Sequence, residues 1–460
     1  MSLRSVIRNW NPEAMPWHAE AGEPIALRNL SISVACLVLS FAVWMVWSVV
    51  VVHLPAAGFH YSTHQRFWLV ALPALCGATL RVFYAFGVPL LGGRRLTVLT
   101  TASLLVPAVG LGLAVQDPTT PFEWMVVLAL LCGLGGGNFA SSMAHISFLY
   151  PVDRQGTALG LNAGLGHLGV ALAQWLVPVV LGVGMLGPLG GPAQVTPQGP
   201  MWLQNAGFVW VPLILACTLA AALGMNDLAD VRARFADQAV IFTRKHTWLM
   251  CWLYLGSFGS FIGFSASLPV LAQSLFQQPD GLHWVWLGPL MGAVLRPLGG
   301  WWADRRSGAQ VSLWCFAALA LGALLALAFL PGRALGGAQG DFEGFLAAFA
   351  LTFAAAGMGT GAGFRMLCTV FVAERQRQAE PLPQAQAQAT REGAVEAAAA
   401  LGLASAIGAY GGFFIPKSVG SSLALTGSPA AALALFIVFY LSCVALVWWA
   451  CSRPNAPLPC

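Results

Sequence analysis

The sequence predicts an all-α polytopic membrane protein: twelve transmembrane helices in two six-helix bundles. Three observations predict it. Of the 460 residues, 58% are hydrophobic and only 8% charged, against about 25% charged in soluble domains. Apolar stretches long enough to cross a bilayer, about 20 residues each, recur along the whole chain. Phrases of the first half return in the second half in the same order.

Element by element, residues 1–28 read as a polar N-terminal segment. They contain no apolar stretch ending in a small-residue cleavage site, so no cleaved signal peptide is expected. Spans are expected near 29–54, 66–91, 96–115, 122–150, 156–183 and 204–226, which form the first bundle, 29–226. A charged linker follows at 227–246, with Asp227, Asp230, Arg232, Arg234, Asp237, Arg244 and Lys245. The second bundle, 247–452, takes spans near 247–275, 284–303, 309–330, 342–373, 395–424 and 429–452, and 453–460 form a tail. Lys and Arg mark the cytoplasmic side of a membrane protein. Arg94, Arg95, Arg154, Arg232, Arg234, Arg305, Arg306, Arg375 and Arg377 share one side with both ends, whereas the other side has Arg66, Arg333 and Lys417. Both termini are therefore expected in the cytoplasm.

The repeat is carried by particular phrases. Gly77-Ala78-Thr79-Leu80-Arg81 returns as Gly292-Ala293-Val294-Leu295-Arg296. Each copy runs into a basic turn, Gly92-Gly93-Arg94-Arg95 in one half and Gly299-Gly300-Trp301-Trp302-Ala303-Asp304-Arg305-Arg306 in the other. The first copy lacks an equivalent of Asp304. A longer echo joins residues 158–169 to 400–411, and shorter ones join Ser40-Phe41 to Ser257-Phe258 and Gly137-Asn138-Phe139 to the region around Phe364. Six spans repeated in one orientation resemble the plan of the major facilitator superfamily, in which substrate binds near the midplane between two bundles. In that resemblance Gly93, Arg94, Arg95, Gly300, Asp304 and Arg305 form the cytoplasmic loop signature.

Arg81 and Arg296 are the residues that most need an explanation. An arginine at the centre of a membrane helix costs roughly 2.5–3.5 kcal/mol on insertion scales, and it does not escape by losing its proton. No Asp or Glu lies in the middle of any span. Snorkelling to an interface is the ordinary alternative, but Arg81 stands about ten residues from its basic turn. The pair therefore points to a small anion, and a planar guanidinium fork suits a planar oxyanion.

Other residues have two readings each. Phe41, Trp44 and Trp47 form a turn-spaced stripe in span 1, Tyr254, Phe258 and Phe261 do so in span 7, and Phe139 sits in the glycine run of span 4. Such rings either pack between helices or wall a cavity. The glycine runs include Gly136, Gly137, Gly160, Gly164, Gly166, Gly359, Gly361, Gly408 and Gly411; they suit close helix packing and the sliding of helix faces. Asn162 is read as a donor to substrate. His167 divides between structural hydrogen bonding and ion coupling. Arg365 is either a third cavity cation or a snorkelling residue.

The ten cysteines form no Cys-x-x-Cys pair and are expected to act as small buried hydrophobes. No metal site, cofactor or nucleic-acid partner is expected. The chain assembles no nucleophile, metal-ligand set or acid pair, so an enzyme is not expected, and its non-membrane stretches leave no room for a separate signalling domain.

Gly136-Gly137-Asn138-Phe139-Ala140-Ser141-Ser142-Met143, with Ile146-Ser147-Phe148 and Pro151, resembles the nitrate signature of the nitrate/nitrite porter family, NarK type. The glycine-rich 357–371 region corresponds to the second signature, and the likeness runs from about residue 29 to 450. The resemblance implies that the anion is held between Arg81 and Arg296, with Phe139, Tyr254 and Phe258 as aromatic pocket residues and Asn162 as the polar position of span 5. It implies exchange of nitrate for nitrite across a bacterial inner membrane; a monomer is expected. A nitrate–proton symporter, or a carrier of another small anion, is the alternative.

Overall fold

Polar residues extend the predicted helices at their ends. The computed structural model describes residues 6–8, 10, 12, 22–185, 187–197, 199–229, 240–276, 283–453, 456 and 458. The linker residues Asp230, Arg232, Arg234 and Asp237 lie outside the described residues. Eleven helical stretches among the described residues are long and apolar enough to cross a membrane. A further helix, Leu287–Arg305, stands where span 8 is expected. It is less apolar because it carries Arg296, Asp304 and a Pro-Leu-Gly-Gly stretch.

The chain divides into two compact units. The first comprises Met1–Arg232 and Ser265–Trp286. Its helices are α1 (Gly22–Met45), α2 (Trp47–His53), α3 (Thr63–Leu91), α4 (Gly93–Ser103), α5 (Leu105–Ala114), α6 (Phe122–Leu149), α7 (Val152–Gly166), α8 (Leu168–Leu181), α9 (Asn205–Phe208) and α10 (Trp210–Gly224). Helix α1 begins before the first apolar stretch, since Glu23 favours a helix N-terminus. Helix α3 starts at a reciprocal cap, in which Ser62 accepts from the Gln65 backbone and the Gln65 side chain accepts from the Ser62 backbone.

Glycines bring α6 against α1 and α3. A Cβ added at Gly136 would stand 2.8 Å from the Trp44 ring and 2.9 Å from Gly77 Cα. No other residue fits so close an approach, and the approach sets the depth at which α3 meets α6. Strand β1 (Val6–Ile7) pairs in parallel with β4 (Asp227–Leu228), while β2 (Gln194–Thr196) and β3 (Gly199–Met201) make a small hairpin.

The second unit comprises Ala233–Phe264 and Leu287–Cys460. It contains α11 (Lys245–Tyr254), the first residues of α12 (Ser260–Phe276), α13 (Leu287–Arg305), α14 (Gly308–Ala328), α15 (Phe342–Gln378), α16 (Pro383–Ala409), α17 (Gly411–Thr426) and α18 (Ala430–Val447). Ser307 caps α14 and Asp341 caps α15. The rest of α12 belongs to the first unit, where Gln273 accepts from Arg66 at 2.9 Å and donates to the Val52 carbonyl at 2.9 Å.

The repeat is visible in the bends. The α7–α8 joint falls at His167 (φ −67°, ψ −15°) and the α16–α17 joint at Tyr410 (φ −62°, ψ −19°). In the echo of 158–169 with 400–411, these joints lie one residue apart. Among the described residues eight cysteines are free, as expected of small hydrophobes. Cys451 departs from that expectation: it is disulfide-bonded.

Candidate functional site

In the first unit the site is built around Arg81. Helix α3 delivers this side chain to full burial, 0% exposed. Its Nε donates to the Gly136 carbonyl at 2.8 Å. Three rings face the guanidinium carbon, with centroids at 4.7 Å (Phe139), 5.3 Å (Trp44) and 6.0 Å (Phe41). Phe41 and Trp44 are three apart on α1, which places them on one face, and their centroids are 5.5 Å apart. A desolvated cation over an aromatic face gains about 2 kcal/mol or more, so the rings offset much of the cost of this buried charge without cancelling it. From α1 to α10 the acids are Glu23, Asp117, Glu123 and Asp153, all at helix ends or in connections.

His167 joins the same ring cluster. Its ring lies 4.4 Å from Phe41 and 5.6 Å from Phe139, centroid to centroid. Nδ1 contacts the Ala163 carbonyl one turn back. The imidazole is buried, on the rings that face Arg81. Asn162 is turned to other partners: its Nδ2 donates to Ser142 Oγ at 2.6 Å and contacts Met143 Sδ at 3.6 Å. Its five-residue offset from His167 accounts for the difference, since five residues carry the helix well past one full turn.

In the second unit the counterpart is Arg296 on α13, also buried. One terminal nitrogen donates to the Tyr254 hydroxyl at 2.9 Å. Tyr254 and Phe258 are neighbours, with centroids 5.5 Å apart. Between α11 and α12 the backbone makes a π-turn over Leu255–Gly259, a widening often found at functional sites. It holds Phe258 next to Tyr254. Gly408 makes room for both rings, since a Cβ there would stand 3.0 Å from each. Gly361 lies against the backbone of Arg296, 2.1 Å from that carbonyl if a Cβ were added. In each unit, therefore, a glycine of the fourth or tenth span touches the arginine helix.

The other sequence candidates fall in several places. Gly137 packs against Tyr84 and Leu80, Gly166 against Leu37, Gly359 against Cys315 and Ser257, and Gly411 against Gly259. Gly164 is buried. Gly160 is exposed and a Cβ there would meet nothing within 4 Å, so close packing is not its role. Arg365 forms an ion pair with Asp304, both side chains about half exposed at 55%, so its charge is answered within the loop signature. Arg305 lies over the Trp301 ring, 3.9 Å from its centroid. A Cβ at Gly300 would lie 3.8 Å from the Gly361 carbonyl, in ordinary contact.

The first basic turn finds its carboxylate elsewhere in the chain. Asp227, just after α10, accepts from the backbone nitrogens of Arg94 at 2.8 Å and Arg95 at 3.4 Å. Its other oxygen lies 3.5 Å from Arg94 Nε and 3.8 Å from Arg95 Nε. Gly92 turns there at φ +88°, and a Cβ would stand 2.4 Å from the Asp227 carboxylate. Gly93 leaves room for the His145 ring. Sequence reasoning missed Asp227 in this role because 133 residues separate it from Arg94. It also left the Gly136 carbonyl unassigned, since a backbone acceptor has no letter in the sequence.

Comparison with known proteins extends these observations. The profile of the Major Facilitator Superfamily matches residues 32–380. The chain is 46% identical over 451 residues to "Nitrate/nitrite transporter NarU" of Escherichia coli, covering 98% of this chain and 97% of the relative. It is 37% identical over 464 residues to "Probable nitrate/nitrite antiporter NarK2" of Thermus thermophilus, covering 99% of this chain and 98% of the relative. A crystal structure of a mutant of the nucleoside transporter NupG matches with a TM-score of 0.59 at 13% identity, covering 92% of this chain and 98% of that one. This last likeness concerns the fold alone.

Proposed function

We propose, for a chain that belongs to the major facilitator superfamily and within it to the NarK-type nitrate/nitrite porters, that it carries nitrate inward in exchange for nitrite by alternating access. The chain is a nitrate/nitrite transporter, and the membrane it spans is a bacterial inner membrane with both termini cytoplasmic. The observation that carries the reading is Arg81: a cation at membrane depth, held by a carbonyl and three ring faces. Rings and a carbonyl hold the guanidinium in place, and none of these groups carries a formal charge. Arg296, steadied by Tyr254, supplies the second fork.

Exchange follows from charge. Without an anion the two guanidiniums repel one another, and closure of the carrier around them is costly. A bound monoanion removes that cost. Only such a difference between states moves the equilibrium. Nitrate and nitrite are flat oxyanions of one charge, so either serves, and the empty carrier returns slowly. No mid-span carboxylate is available to carry a proton through the cycle.

The test is transport by protein in liposomes loaded with nitrite, with nitrate added outside, with and without a pH gradient. Uptake that needs internal nitrite and ignores the gradient is the expected result. Proton-driven uptake into nitrite-free liposomes overturns exchange and favours symport, for which His167, on the rings that face Arg81, is the candidate relay.

A further inference from the structure

A small recess with mixed polar and apolar walls lies in the first unit, among α1, α4 and α6. Its walls include Ser33, Cys36, Thr97, Thr101, Asn138 and Ser142. One of these residues brings a polar atom that is buried without a hydrogen-bond partner, Asn138 Oδ1, and the Thr101 hydroxyl reaches only the weakly bonding Cys36 thiol. Thr101 is 0% exposed and Asn138 5%. Other donors around the chamber are engaged, while the hydroxyl oxygens keep lone pairs that can accept. Asn138 Nδ2 donates to Ser40 Oγ at 2.7 Å, the Ser33 and Ser142 hydroxyls share a bond of 2.7 Å, and Thr97 donates to the Gly93 carbonyl.

A buried amide oxygen left unmatched is costly, so the chamber favours an occupant that donates hydrogen bonds. We infer that it binds water, one molecule bridging Asn138 Oδ1 to Thr101 and the Ser33–Ser142 pair. The cavity is of that size, about 10 Å³, close to the roughly 10–15 Å³ that one water requires. A metal cation is disfavoured by charge. Every wall group is neutral, and Asn138 stands two residues from Gly136, whose carbonyl already holds the Arg81 guanidinium.

The water has a positioning role. Asn138 ties α6 to α1 through Ser40, and the segment Gly136–Phe139 supplies both the carbonyl and one ring that hold Arg81. An amide fixed on its oxygen side by water and on its nitrogen side by Ser40 cannot rotate. The arginine anchor thus rests on a hydrated joint. This inference concerns the first unit alone and stands whichever anion the protein carries.

Radiolytic hydroxyl-radical footprinting of the full chain in lipid nanodiscs tests it, because radicals formed on bound water label the side chains beside them. Cys36 lines the chamber and Cys132 does not, yet both are buried, at 3% and 0% exposure. The expected result is Cys36 labelling several-fold faster than Cys132. Thr101→Val keeps the shape and removes the hydroxyl, and should bring Cys36 down to the Cys132 rate. Equal rates in the native protein overturn the inference. Retained labelling in Thr101→Val overturns it as well, since radicals then arrive by another route. If Thr101→Val does not fold, Ser33→Ala serves: it removes another partner of the water and should slow Cys36 labelling, and an unchanged rate counts against the inference. A rise in unfolding temperature with NaCl over choline chloride that Thr101→Val abolishes would assign the chamber to sodium instead.

Discussion

Arg81 donates from Nε to the backbone carbonyl of Gly136 at 2.8 Å. The contact joins a membrane-buried cation to a helix that glycine alone allows so close. The same glycine clears the Trp44 ring, which is itself one of the rings facing the guanidinium. The position of the charge and the packing of α1, α3 and α6 are therefore one structural fact.

Gly136→Ala places a methyl group 2.8 Å from Trp44 and 2.9 Å from Gly77 Cα. Overpacking of this kind costs about 1–3 kcal/mol. The expected outcome is a lower unfolding temperature in detergent together with slower nitrate exchange. Gly160→Ala, at an open position, should change neither.

Arg81→Lys and Arg296→Lys keep the charge and lose the planar fork. Each is expected to reduce nitrate–nitrite exchange at least about tenfold, the equivalent of about 1.4 kcal/mol. Counterflow in liposomes measures this directly, and wild-type rates in either variant would refute the assigned anion contacts.

Tyr254→Phe removes the hydroxyl that accepts from Arg296 at 2.9 Å. Hydrogen bonds to charged groups contribute about 1.5–3 kcal/mol. Weaker apparent affinity for nitrate is expected, about tenfold or more, with the protein still folded. Concentration dependence of uptake reads the change.

His167→Phe preserves an aromatic ring against Phe41 and Phe139 and removes the titratable nitrogen. If stacking is its contribution, exchange stays within about threefold of wild type while His167→Ala, which opens a cavity beside the rings, loses much of it. A rate profile from pH 5.5 to 8 compares the variants. Loss of activity in His167→Phe together with a flattened pH profile would assign His167 to proton coupling.

Asp227→Ala removes both the acceptor for the Arg94 and Arg95 backbone nitrogens and the charge beside their side chains. Loss of a helix cap costs about 0.5–2 kcal/mol. Asp227→Asn keeps the acceptor and should lie between wild type and alanine in thermal unfolding. Equal stability of all three proteins would exclude Asp227 as the brace of the first basic turn.

Much of this protein was readable in its sequence because the relevant properties are local. Hydropathy marks a span wherever it occurs. The phrases around Arg81 and Arg296 announce a repeat, and the lack of mid-span acids makes the two arginines candidates for an anion site. Tertiary structure decided which neighbours those residues meet. The Gly136 carbonyl, the Tyr254 hydroxyl, the Asp227 carboxylate and the ion pair of Arg365 with Asp304 are partners set by helix packing across dozens of residues. Helix rotation and depth bring such groups within 3 Å or leave them apart, and neither quantity is written in any single segment of the chain.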